Sequence, residues 1–182
     1  MPNSAVQSEL DIRTLTLPAW GTQAVVIQLL LLISASFVLP SVAHAMGIPV
    51  RTFLPMHWPV LLAGLVYGWR SGLLIGLSAP LASHALSGMP PLFMLPAMTV
   101  ELGVYGLTAG VAREVLKLGW FLSTLAALAV GRAIFLGYIF ATGAVSQSFV
   151  PYVQAAMLPG LIAAIGQLIA LPFIARRWVG TK

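Results

Sequence analysis

The sequence predicts an all-α integral membrane protein, with six transmembrane helices in one bundle and both termini cytoplasmic. Three observations predict it. The 182 residues are 59% hydrophobic and only 7% charged, where ordinary globular domains carry about 25% charged residues. The mean hydropathy is +0.98. The nine Lys and Arg residues are also unevenly placed. With six spans, Arg13, Arg70, Arg113, Lys117, Arg176, Arg177 and Lys182 share one side, Arg51 lies opposite, and Arg132 falls inside a span. Short basic loops stay cytoplasmic, so the first, third and fifth connections face out.

The elements follow in order. Residues 1–18 are polar, with Glu9, Asp11 and Arg13, and read as a cytoplasmic tail. A first span over about 19–39 is long enough for a hydrocarbon core of about 30 Å, and Pro40 is expected to end it. Ala43-His44-Ala45 resembles a signal-peptidase site. The acidic flank and the length of the apolar run argue for retention. An outer connection with His44, Pro49 and Arg51 leads to a second span over about 53–69 and, after Arg70-Ser71-Gly72, a third over about 72–86. Gly64, Gly68, Gly72 and Gly76 recur every four residues across this hairpin, a spacing that lets helix backbones approach closely in lipid.

The outer connection Ser87-Gly88-Met89-Pro90-Pro91 precedes a fourth span over about 92–112. The fifth covers about 120–142 and the sixth about 151–175, the last with the small series Ala156, Gly160 and Ala164. Residues 176–182 form a basic cytoplasmic tail. Trp20, Trp69, Trp120 and Trp178 fall near inner span ends and Trp58 near an outer one, as an aromatic belt requires.

Composition excludes several functions. The net charge of +5 sits at span ends, where it suits anionic lipid rather than nucleic acid. With no Cys, disulfides, Cys-ligated metals and thiol chemistry are excluded. No hydrophilic stretch is long enough for a soluble domain, and no cofactor motif is present.

Candidate chemistry centres on Glu101 and Arg132, the two charges deep in the spans. Each costs at least about 2.5–3.5 kcal/mol to insert on biological scales. Both fall near mid-membrane on consecutive helices. Two readings can coexist: an ion pair that fixes the fourth span against the fifth, or a site where Arg132 binds a ligand carboxylate or phosphate while Glu101 orients it or binds a ligand hydroxyl or amine. Tyr105 and Thr108 lie four and seven residues after Glu101, on the same helical face. His57 opens the second span and His84 closes the third. They suit single polar contacts better than a metal, for which no neighbouring carboxylate is available. Met89 and Phe93 stand in the stiff segment Gly88-Met89-Pro90-Pro91-Leu92-Phe93-Met94. Its prolines fix φ and suit it to a preformed wall or lid over an apolar site.

Six spans in this length, with a long first outer loop, resemble a substrate-binding S component of an energy-coupling factor (ECF) vitamin transporter. The resemblance is carried by Met56-His57-Trp58-Pro59-Val60-Leu61-Leu62-Ala63-Gly64 with Gly68, Gly72 and Gly76, and by Ser87-Gly88-Met89-Pro90-Pro91. Glu101-Leu102-Gly103-Val104-Tyr105-Gly106, Gly110 and Gly131-Arg132 complete it. It covers about 53–140 and looks closest to the pantothenate-type branch. The resemblance implies a non-enzymatic capture subunit of the bacterial or archaeal plasma membrane. Such a subunit takes a water-soluble vitamin from outside, with pantothenate ahead of folate or cobalamin. Two ATPase subunits and a transmembrane coupling subunit would be its partners; the chain itself has no phosphate-binding loop. The first span lacks the Ala-x-x-x-Ala pair that family members often use for docking.

Two other classes compete. One is a structural or cytochrome-type subunit; haem ligation would need paired His on facing helices, which His57 and His84 could meet geometrically, but both are expected at the surface. An intramembrane enzyme needs a nucleophile with a base. The adjacent Ser83-His84 points its two side chains to different helix faces.

Overall fold

The computed structural model describes residues 16–143 and 149–180. The tail with Glu9, Asp11 and Arg13, the centre of the last outer connection (144–148), Lys182 and the Ala156 side chain lie outside the described residues.

The chain is all-helical, with no strand among the described residues. Helix α1 is Thr22–Ala45 and a one-turn α2 is Val50–Phe53. Then come α3 (His57–Tyr67), α4 (Trp69–Ser87), α5 (Leu95–Glu114), α6 (Trp120–Thr142) and α7 (Phe149–Gly180). Among the described residues, α1, α5, α6 and most of α7 are long and apolar enough to cross a membrane.

Two elements depart from the sequence reading. Helix α1 continues through Pro40 to Ala45. A π-helical turn, Ser34–Val38, comes just before the proline, and the Leu39 N–H bonds back to the Ser34 carbonyl. The α-helical ladder is therefore already interrupted where the ring and missing N–H of Pro40 fall. Helix α3 has 11 residues, about 16 Å at 1.5 Å per residue, or half a hydrocarbon core. It starts late because Leu54, at φ 50°, turns the chain in the left-handed region between α2 and α3.

Tight packing concentrates where α3, α4 and α5 meet. A Cβ at Gly64 or Gly72 would collide with the Gly106 carbonyl, and one at Gly76 with that of Leu102. At Gly110 it would strike the Trp69 backbone. The four-residue glycine series thus forms a seam along which backbones touch, as expected for helices that associate without a hydrophobic driving force. Gly68, at φ 86°, makes the α3–α4 turn. The Trp69 N–H donates to the Glu114 carboxylate at 3.3 Å, so the α4 N-terminus receives the negative charge it favours.

One end of the bundle is basic and aromatic. The Arg113 guanidinium stacks 3.6 Å over the Trp120 ring and donates to the Leu118 carbonyl. Tyr67 meets Trp178 edge-on, centroids 6.3 Å apart. Helix α1 lies at the periphery and touches the core through buried Ala35 and the half-buried Ala24, Ile27, Leu31 and Leu32.

Candidate functional site

Four of the seven candidate residues converge in the bundle. Counted from the basic end, Glu101 is 13 residues up α5, Arg132 is 12 up α6, Tyr105 is 9 up α5 and His57 is 10 up α3. At 1.5 Å per residue these heights are roughly 13–20 Å, the middle of a core about 30 Å thick.

Each is positioned by local sequence. Glu101 and Tyr105 are one turn apart and share the inward face of α5, 3% and 1% exposed. The Tyr105 ring packs flat where Gly131 has no side chain; a Cβ there would lie 2.8 Å from the ring. Gly131 therefore lets α6 approach α5 closely, and the next residue is Arg132. The Arg132 guanidinium lies 5.6 Å from the Phe135 ring centre, one turn further along. Phe135 in turn packs with Ala97, Ile139 and Met94.

Arg132 Nη1 is 3.0 Å from Glu101 Oε1. Oε1 nonetheless accepts no aligned hydrogen bond, so the contact is chiefly Coulombic. His57 Nε2 is 3.8 Å from the same oxygen, and neither ring nitrogen has a hydrogen-bond partner. The His57 ring meets Tyr105 edge-on at 4.9 Å, and the phenol stands within reach of both Glu101 and Arg132. Breaking such a pair by removing one partner costs about 3–5 kcal/mol, because the other charge is left uncompensated. The cluster is anchored but not saturated. Arg132 keeps 19% of its side-chain surface open and offers several donors to an incoming anion.

The segment from α2 into α3 comes beside Arg132 at α7. At Gly160 of α7, the space a Cβ would fill is bounded by Arg132 Nη2 and Leu54 Cδ1, each at 3.3 Å, with the Arg51 carbonyl at 3.9 Å. The segment is fastened by Trp58 Nε1–H donating to the Phe53 carbonyl at 3.0 Å and by stacking of Phe53 on Trp58 at 5.7 Å. Irregular backbone at membrane depth is tolerated where it lines a protein cavity.

The other three candidates lie apart. His84 Nδ1 is 2.8 Å from the Pro90 carbonyl and ties the Pro-rich loop to the end of α4. Met89 and Phe93 are 48% and 79% exposed and turn outward. The residue of that loop that packs toward Arg132 is Met94, through Phe135. Sequence reasoning did not select Phe135, Leu54 or Gly160 for this site. Phe135 had a usable signal, one turn beyond an intramembrane Arg. Gly160 stood in a small-residue series that reads equally well as helix packing. Leu54 had a weak one, since Pro55 after it disfavours helix at that position, but nothing in the pattern says that its side chain meets Arg132.

Among the described residues no group of three or more His, Asp or Glu could hold a metal. The arrangement is suited to binding: a cation, a carboxylate, a phenol and an imidazole converge in an otherwise apolar interior.

The family model for the ECF transporter, substrate-specific component, matches residues 25–179. No curated protein and no solved structure matches the chain. The match takes in α2 to α6 whole, nearly all of α1 and α7 and every residue of the buried cluster, and the chain belongs to the ECF transporter substrate-specific component family.

Proposed function

We propose that this substrate-capture subunit binds a carboxylate-bearing, water-soluble vitamin, with pantothenate the first choice, at the cluster of Arg132, Glu101, Tyr105 and His57. The observation that carries the reading is the incomplete satisfaction of that cluster. Arg132 holds Glu101 at 3.0 Å yet stays partly open, and buried His57 has two unpartnered ring nitrogens. Buried polar groups in native proteins are nearly always hydrogen-bonded, and intramembrane ionisable groups mark ligand or ion sites. A ligand carboxylate would take the free donors of Arg132. Ligand hydroxyls and an amide would engage Glu101, Tyr105 and His57. His84, Met89 and Phe93 would form the outer rim, with His84 holding the loop through the Pro90 carbonyl.

In this reading the vitamin arrives from outside and the segment 50–56 closes over it. The basic end faces the cytoplasm of a bacterial or archaeal cell, by the positive-inside rule, with both termini on that side. The loaded subunit passes its cargo inward with a transmembrane coupling subunit and two ATPase subunits, and catalyses no reaction itself.

The test is a titration of the purified chain in detergent with pantothenate, folate, cobalamin, biotin, riboflavin and thiamine, followed by tryptophan fluorescence. Saturable one-to-one binding of pantothenate alone is expected. Binding of another vitamin in its place would overturn the substrate assignment. A folded protein that binds none of the panel would count against this site reading.

A further inference from the structure

Gln167 on α7 is 0% exposed, and neither its side-chain oxygen nor its nitrogen has a hydrogen-bond partner. No role described above uses it. An orphaned amide in a bundle interior is destabilising, and in a membrane a polar side chain turned inward marks a cavity or pathway.

Its placement says which one. Gln167 lies seven residues after Gly160, two turns along the same face of α7. Gly160 is the position whose missing side chain admits Arg132 and Leu54. Ala163 lies between them and is buried. Along this stretch the inward face of α7 is therefore Gly160, Ala163 and Gln167, two small residues and then an unpartnered amide. Buried Leu171 closes the next turn. Trp58, which helps fasten the segment after α2, has its ring edge 3.5 Å from where a Cβ on Gly166 would lie. Helix α7 as a whole packs against α6, α2 and α3.

We propose that Gln167 is a second polar anchor of the ligand site, at the floor of a slot that runs from Arg132 along Gly160 and Ala163. Two helical turns separate the anchors by about 10 Å. The ligand class is then an elongated molecule, anionic at one end. About 10 Å away it carries an amide or hydroxyl that both donates and accepts, to match the donor and acceptor of a glutamine. This rests on the substrate-binding reading above, and deepens it by setting a length and a second functional group. Pantothenate meets both conditions.

The chain has no Cys, so Gln167→Cys creates a single thiol that reports access directly. The probe is the anionic, membrane-impermeant reagent sulfonatoethyl methanethiosulfonate, followed by intact-protein mass. The controls are Leu171→Cys, in the core, and Ile169→Cys, 69% exposed on the apolar outer face of α7. The slot predicts modification of Gln167→Cys at least roughly tenfold faster than of either control, because thiol reactivity follows polarity and access. A rate no faster than that of Leu171→Cys would overturn it. Ala163→Cys, on the same face, gives the same readout should Gln167→Cys fail to fold.

Gln167→Leu supplies a second arm. An anchor predicts at least about tenfold weaker pantothenate binding in a folded Gln167→Leu protein, and unchanged affinity would overturn the proposal. Labelling needs no ligand. Fast modification that pantothenate fails to slow would support the slot while removing pantothenate as its occupant.

Discussion

Helix α5 takes part in two regions built on opposite principles. Toward the basic end, Gly106 and Gly110 press against Gly64, Gly72 and Trp69 with no room for another carbon atom. One to two turns away, Glu101 and Tyr105 face Arg132 and His57 with polar capacity left over. The seam maximises contact and uses no charge. The cluster spends stability on charges that an apolar core would do better without. The seam fixes how α3, α4 and α5 lie, so that α5 can hold its carboxylate at a set height against α6. The difference shows which substitutions should unfold the protein and which should empty it.

The largest effect is expected at the seam. Gly72→Val forces a side chain into the Gly106 carbonyl and the Gly64 backbone, which cannot move aside as a side chain would, and should cost well over the roughly 3 kcal/mol of ordinary overpacking and keep the bundle from packing. Thermal unfolding and loss of the monodisperse peak in size-exclusion chromatography would report it. A stable, fully binding Gly72→Val protein would show that the seam is not the scaffold.

Arg132→Ala comes next and separates the two roles. It should weaken ligand binding by at least about 2 kcal/mol, roughly thirtyfold, and lower stability by leaving Glu101 uncompensated. Glu101→Gln in the same chain removes the stranded charge. The double variant should regain melting temperature without regaining affinity. Affinity restored along with stability would mean that the pair is purely structural.

Gly160→Val narrows the space beside Arg132 and Leu54, which stand 3.3 Å from the new carbon position. A penalty of about 1–2 kcal/mol is expected, read mainly as weaker binding in equilibrium titration with a small change in melting temperature. The smallest effect belongs to Glu114→Ala at the α4 N-terminus. It should cost about 0.3–1 kcal/mol of stability and leave affinity unchanged. A change in affinity there would show that the two regions are coupled.

Much of this arrangement is legible in the sequence, and the reasons are physical. Charges inside apolar spans are costly enough to be rare, so Glu101 and Arg132 identify themselves, and counting residues from span ends gives their height. Glycine at four-residue spacing marks the seam because few other uses of that pattern exist in lipid. Tyr105 follows from helical periodicity once Glu101 is chosen.

What sequence reasoning missed depends on tertiary placement. Pro55 marks a possible helix boundary between residues 53 and 69, but it does not tell that the chain turns at Leu54, shortens α3 and brings this segment beside Arg132. The Pro-rich loop was expected to wall the site. Its rigidity could be read from composition but not its direction, and Met89 and Phe93 point outward while Met94 packs inward. Gln167 carries no signal in the sequence beyond its place in the sixth span, and its lack of a partner shows only in the packed bundle.

The most direct measurement compares pantothenate with its uncharged alcohol analogue, panthenol, on the wild-type protein and on Arg132→Ala/Glu101→Gln, by equilibrium titration in detergent. If Arg132 anchors the carboxylate, the wild-type protein should prefer pantothenate by at least roughly thirtyfold. The double variant should bind the two compounds alike. Equal affinity of the wild-type protein for both, or a preference that survives in the double variant, would contradict the account.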